Sequence, residues 1–165
     1  MAALTANTTA PDFSLPDLKG SSFSLQSALQ HGPVLIAFFK VSCPTCQYTF
    51  PFLERLHQAH GDKKITIVGI SQNNQNDTTS FLREFGITFP VLLDDPNNYA
   101  VSNAYGLTNV PTLFLIAQNG HIEISSVGWV KNDVEELNRK LAAAQHTSLP
   151  VIFKPGEEIR DFRAG

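Results

Sequence analysis

Residues 34–39, Val-Leu-Ile-Ala-Phe-Phe, are six consecutive apolar side chains with no polar interruption. Side chains alternate faces along a strand, so such a run is stable only where both faces of the sheet are covered. Four residues later the pattern changes. From Cys43-Pro44-Thr45-Cys46 onward, Cys46, Phe50, Leu53 and His57 recur at i, i+4, i+7 and i+11, the spacing of one helix face. A buried strand handing over to a helix at a pair of cysteines already restricts the fold to a covered, helix-flanked sheet.

The flanking segments extend this pattern. Residues 13–25 alternate around Lys19-Gly20 and predict a small hairpin, after which Ser24 caps a short helix running to Gln30. Pro51 falls inside the helix that follows the cysteines and predicts a kink. Residues 65–70 form a second apolar strand. Asn76 or Asp77 is the expected cap of the next helix, which carries Phe81, Leu82 and Phe85 before Gly86. Residues 90–93 read as a strand and 97–105 as a short helix ended by Gly106. Residues 113–117 and 122–127 flank Asn119-Gly120, a strong hairpin signal. Asn132, with Glu135 three residues on, is expected to open the last helix, which carries Val134, Leu137 and Leu141. The expected fold is α/β: a central mixed sheet with helices on both faces and an N-terminal hairpin, in one domain over residues 1–165. Its core spans about 10–145. The tail, 146–165, packs back or frays; the sequence leaves both open.

With 165 residues, 42% hydrophobic and 16% charged, the chain belongs among globular proteins. A net charge of −3 without a Lys/Arg run argues against a nucleic-acid surface. No stretch approaches the roughly 18 apolar residues of a membrane span. The first ten residues lack the basic and apolar regions of a signal peptide, which favours the cytoplasm and leaves a periplasmic or exported location open.

There are two cysteines, three positions apart. A bridge between them closes too short a loop to stabilise much, so chemistry explains the pair better than stapling. Cys43 falls at a helix N-terminus, where free N–H groups and the positive dipole end favour a thiolate. Pro44 suits the first helical position because its missing N–H would be unpaired there anyway. The amides of Thr45 and Cys46, and the Thr45 hydroxyl, face the Cys43 sulfur. Cys46, one turn inside, is the resolving thiol. Zinc is the competing reading, since His57 and His60 follow the cysteines. Along one helix, however, Cys46 and His57 lie roughly 16 Å apart, too far to share an ion bound at about 2 Å. The sulfurs carry the chemistry, so neither metal nor cofactor is expected.

These residues resemble the thioredoxin-like superfamily, in its TlpA-like and AhpC/TSA (redoxin) branch. The likeness covers about residues 10–145: Ala10-Pro11-Asp12-Phe13 at the start, the buried strand before Cys-x-x-Cys, Pro51, Val110-Pro111-Thr112 and Gly128. It implies a thiol–disulfide oxidoreductase that exchanges a Cys43–Cys46 disulfide or dithiol with protein or small thiol substrates and a redox partner, as a monomer. It also implies that Pro111 is a cis-proline facing the cysteines, with Val110 and Thr112 beside it on a substrate-binding edge. Gly128 then puts Trp129 near that surface as part of an apolar docking platform. The alternative is that Trp129 packs under the last helix.

The chain also departs from the family's pattern. Ala37 and Thr49 stand where relatives carry a buried carboxylate, and Ser42 where tryptophan is common, so no proton carrier for Cys46 is named. Lys40 could favour the thiolate but reads as a solvated strand end. A thiol peroxidase is the rival within the same fold. Its Pro-x-x-x-Thr/Ser-x-x-Cys pattern fails for Cys46, which would need Phe39 and Cys43 in those places, and for Cys43, which would need Ile36 and Lys40. A metal chaperone or redox-dependent binding module is the non-enzymatic alternative, without a further ligand cluster to support it.

Overall fold

In the computed structural model, which describes residues 2–61 and 64–165, the run at 34–39 becomes a strand buried along its whole length. The elements in chain order are β1 (Ser14–Pro16), β2 (Ser22–Ser24), α1 (Leu25–Leu29), β3 (Val34–Phe39), α2 (Pro44–His60), β4 (Thr66–Ser71), α3 (Gln75–Phe85), β5 (Val91–Leu93), α4 (Ala100–Ala104), β6 (Thr112–Ile116), β7 (Ile122–Val127), β8 (Trp129–Val130), α5 (Lys131–Gln145) and β9 (Phe162–Arg163). The main sheet has the order β5-β4-β3-β6-β7. β3 runs parallel to β4 and antiparallel to β6, which makes the sheet mixed.

Strand alternation divides the core in two. Leu35, Ala37 and Phe39 point to one face and pack with Cys46, Phe50 and Leu53 of α2, Phe81 of α3 and Val134 and Leu137 of α5. Val34, Ile36 and Phe38 point to the other and meet Leu15, Leu25, Val101 and Tyr105 from the hairpin, α1, and the α4 region. Each face is therefore covered, as the apolar run requires. The hairpin, the Ser24 cap and the left-handed Gly86 at φ 67° all match the expectation.

Two helix starts differ. α3 is capped by Asn74, whose Oδ1 accepts from the Asp77 N–H at 2.8 Å, so Asn76 and Asp77 lie inside the helix. α5 begins directly from β8 with Val130 as the flanking residue and no side-chain cap. Asn132 is already helical there. The physical reason is the tail: the Lys131 N–H donates to the Asp161 carbonyl at 2.9 Å, supplying a partner that a cap side chain would otherwise give. Pro51 does sit within α2.

The tail packs back. Ile152 is buried in the α2/α5 core, β9 pairs antiparallel with β8, and the Arg55 guanidinium forks onto the Glu157 carboxylate at 2.7 and 2.6 Å. Among the described residues no helix is long and apolar enough to cross a membrane.

Candidate active site

Cys43 occupies the N-cap of α2 in an extended conformation (φ −82°, ψ 115°), which turns its sulfur back over the first helical turn. The Cys46 N–H donates to the Cys43 Sγ at 3.1 Å, and the Cys43 thiol donates to the Val110 carbonyl at 3.3 Å. Pro44 takes the first helical position. The approach to the motif is fixed by polar contacts: Asn73 Oδ1 accepts from the Val41 N–H and Gln47 Nε2 donates to the Val41 carbonyl, both at 2.9 Å.

The two sulfurs sit in different environments. Cys43 is half-buried, and Cys46 is fully buried in the core that holds Ala37, Phe39 and Phe50. Both are free thiols. Burial pushes the Cys46 thiol well above the ordinary thiol range, and the contact with Cys43 pushes it further. At neutral pH Cys46 is therefore protonated and shielded, the state of a thiol that waits.

The Val110–Pro111 peptide bond is cis. Around it, Thr112 Oγ1 donates to the Asn109 carbonyl at 2.7 Å and the Gly128 N–H donates to the Pro111 carbonyl at 2.8 Å. Val110 thus touches the Cys43 sulfur, whereas Thr112 is fully buried and serves the loop's geometry. Beside Cys43 lies a depression of about 450 Å³ lined in part by Lys40, Gln72, Thr108 and Asn109.

Two expectations about side chains need correction. The Thr45 hydroxyl does not turn to the Cys43 sulfur; it donates to the Ala164 carbonyl at 2.6 Å. Trp129 is fully buried, so it offers no exposed docking platform. Its ring packs on Phe52 at 4.8 Å and Tyr48 at 5.1 Å, and its Nε1 donates to the Arg160 carbonyl at 2.6 Å. The tail covers it, together with Phe153 at 6.3 Å. Of the positions that lack a carboxylate, Thr49 is fully buried and its hydroxyl donates to the Thr45 carbonyl at 2.7 Å. The histidines have packing roles: His60 bonds Asn138 Oδ1 at 2.7 Å and His57 lies against the Phe89 ring at 6.0 Å.

Asn73, Gln72 and the segment around Ala164 also border the motif, and nothing in the sequence marks them. Gln72 Nε2 donates to Ser102 Oγ at 2.9 Å, and that hydroxyl donates to the buried Asp94 at 2.7 Å, so a polar chain holds one side of the depression. Isolated amides after a strand give no motif, and only the topology brings them beside Cys43.

Comparison with known proteins agrees with this geometry. A family model described as Redoxin matches residues 5–141. The thiol-disulfide oxidoreductase ResA of Geobacillus kaustophilus (strain HTA426) is 31% identical over 135 residues, 81% of this chain and 76% of the relative. The thioredoxin-like protein YneN of Bacillus subtilis (strain 168) is 29% identical over 136 residues, covering 80% and 76%. Among solved structures, the thioredoxin domain of a thiol-disulfide oxidoreductase from Bacteroides vulgatus superposes with a TM-score of 0.74 at 25% identity, covering 84% of this chain and 98% of that one. The peroxidoxin BcpB from Mycobacterium tuberculosis, at 20% identity and a TM-score of 0.69 over 87% and 97%, shares the fold.

Proposed function

Because the chain belongs to the Redoxin family and is a thiol–disulfide oxidoreductase, we propose that Cys43 is the attacking thiol and Cys46 the resolving one, with protein disulfides as substrates. The observation that carries the assignment is the asymmetry of burial: Cys43 is half-buried and reachable at the helix N-cap, where the Cys46 N–H donates to its sulfur, whereas Cys46 is fully buried.

The Cys43 thiolate attacks one sulfur of a substrate disulfide, forming a mixed disulfide and releasing the other substrate sulfur as a thiolate. Cys43 then no longer carries the charge and hydrogen bond that helped hold the proton on Cys46. The Cys46 thiol ionises more easily at that moment, and its sulfur attacks the Cys43 Sγ. The substrate's second thiolate leaves, and two electrons have passed from the Cys43–Cys46 dithiol to the substrate. With a dithiol substrate and an oxidised pair the same steps run backwards. Pro111 and Val110 hold the wall against which the Cys43 sulfur is presented, and one domain acts alone with a partner that restores its redox state.

An insulin-reduction assay driven by dithiothreitol tests the reading. The protein should accelerate precipitation of insulin chains, and Cys43→Ser and Cys46→Ser should each abolish the acceleration. Full activity in Cys43→Ser would overturn the assignment.

A further inference from the structure

The edge beside Cys43 is already occupied by a strand of the chain's own tail. β9 pairs with β8 in antiparallel register, Arg163 opposite Trp129 and Phe162 opposite Val130. The backbone then continues over Gly128, where a side chain's Cβ would lie 2.7 Å from the Arg163 carbonyl oxygen. Next, the Ala164 carbonyl accepts from Thr45, a residue of the redox motif itself. Last, Gly165 lies against Val110, where an added Cβ would come within 2.3 Å of the Val110 carbonyl oxygen. That oxygen is the one that accepts from the Cys43 thiol.

Residues 162–165 thus follow an extended path along a strand edge, past a close-approach glycine, to the atom that touches the nucleophile. The β8–β9 pair is a two-stranded ladder separate from the main sheet, and its backbone pairing is the kind by which a peptide strand docks on an exposed strand. The segment has no hydrophobic anchor of its own: Phe162 is 62% exposed. It is held by a two-residue ladder, one hydroxyl and the Arg163 guanidinium over the Tyr48 ring at 5.8 Å, few enough contacts for a competitor to displace. With the segment docked, Cys43 still borders an open depression of about 450 Å³, whose far side is formed by Lys40, Gln72, Thr108 and Asn109 and whose near rim includes Val110 and Gly165 itself.

We propose that residues 162–165 are an internal pseudosubstrate that selects among substrates of Cys43, competing with polypeptide strands for the Gly128–Val110 edge while leaving small disulfides free to enter beside Lys40. The proposal rests on the exchange reading above and adds the selectivity of that site. A polypeptide must capture the fraction of molecules whose tail is undocked, so its apparent affinity falls by that fraction. A tail docked about nine-tenths of the time weakens it about tenfold. A small disulfide entering from the depression is not charged that factor.

The test compares reduction of insulin and of glutathione disulfide by the full chain and by a chain lacking residues 162–165. This truncation keeps Arg160 on Trp129 and Asp161 on Lys131, and native Trp129 emission reports that the fold is intact. Truncation should raise kcat/KM for insulin about tenfold, through KM, and change that for glutathione disulfide less than about twofold. Gly165→Val, which removes nothing but cannot keep its contact with Val110, should shift insulin reduction in the same direction. A peptide of sequence 158–165 added to the truncated protein should inhibit insulin reduction competitively and spare glutathione disulfide. Equal changes for both substrates, or slower insulin reduction in both variants, would overturn the proposal. Activity of the full chain on neither disulfide would overturn the exchange reading, and the proposal with it.

Discussion

Two sulfurs three positions apart in the chain differ in what surrounds them. Cys46 is fully buried and its proton is held by burial first and by Cys43 second. A thiol whose pKa is raised stays neutral until the pH passes that raised value, so it should resist alkylation throughout the neutral range. Reduced native protein treated with iodoacetamide near pH 7 should take up one label, on Cys43, and two only in denaturant. Labelling of Cys46 should rise only in strongly alkaline solution. Equal rates at the two positions near neutral pH, read by peptide mass, would contradict the burial argument. The asymmetry was legible in the sequence, because one cysteine precedes the helix and the other lies a turn inside it. The fate of the Thr45 hydroxyl was not, since its partner lies 119 residues away.

At the level of elements, hydrophobic period was a reliable guide and cap chemistry less so. The six-residue apolar run and the Asn119-Gly120 hairpin appear as β3 and the β6–β7 turn. The start of α3 was displaced by two or three residues because residues 73–77 offer several amide and carboxylate side chains in succession, and only backbone geometry chooses Asn74. Asn74→Ala should therefore cost about 1 kcal/mol of stability. Asn132→Ala, which removes no cap, should stay within about 0.5 kcal/mol of the parent. Urea unfolding of both variants checks this, and the reverse order would return the cap role to Asn132. Gly86→Ala should also destabilise, by about 1–2 kcal/mol, because φ 67° is strained for any residue with a Cβ.

Across the whole molecule the tail is what the sequence left undecided, and it accounts for the corrected side-chain assignments. It buries Trp129, takes the Thr45 hydroxyl and gives α5 its first partner. Its pattern is too short and too polar to signal docking, since its apolar residues Ile152 and Phe153 find a groove that exists only after α2 and α5 have packed. The Arg55–Glu157 fork fastens the middle of the segment. Arg55 holds the Glu157 carboxylate down to about 2. A carboxylate with a lowered pKa stabilises the docked state fully above its free value of about 4.3, and that contribution fades as the pH falls toward 2. Both groups are a quarter or more exposed, so solvent screens the pair. Glu157→Gln should loosen the tail at pH 7, seen as greater acrylamide quenching of Trp129. It should also flatten the quenching difference between pH 5 and pH 2.5 relative to the parent. Identical quenching profiles would mean that the fork does not hold the tail.

Covalent trapping distinguishes an attacking Cys43 from an attacking Cys46. Cys43→Ser and Cys46→Ser are each reduced, mixed with a disulfide-bonded protein, quenched in acid and analysed by intact mass. A covalent adduct through Cys43 should form in Cys46→Ser and almost none in Cys43→Ser. Equal adducts in the two variants, or an adduct only through Cys46, would contradict it.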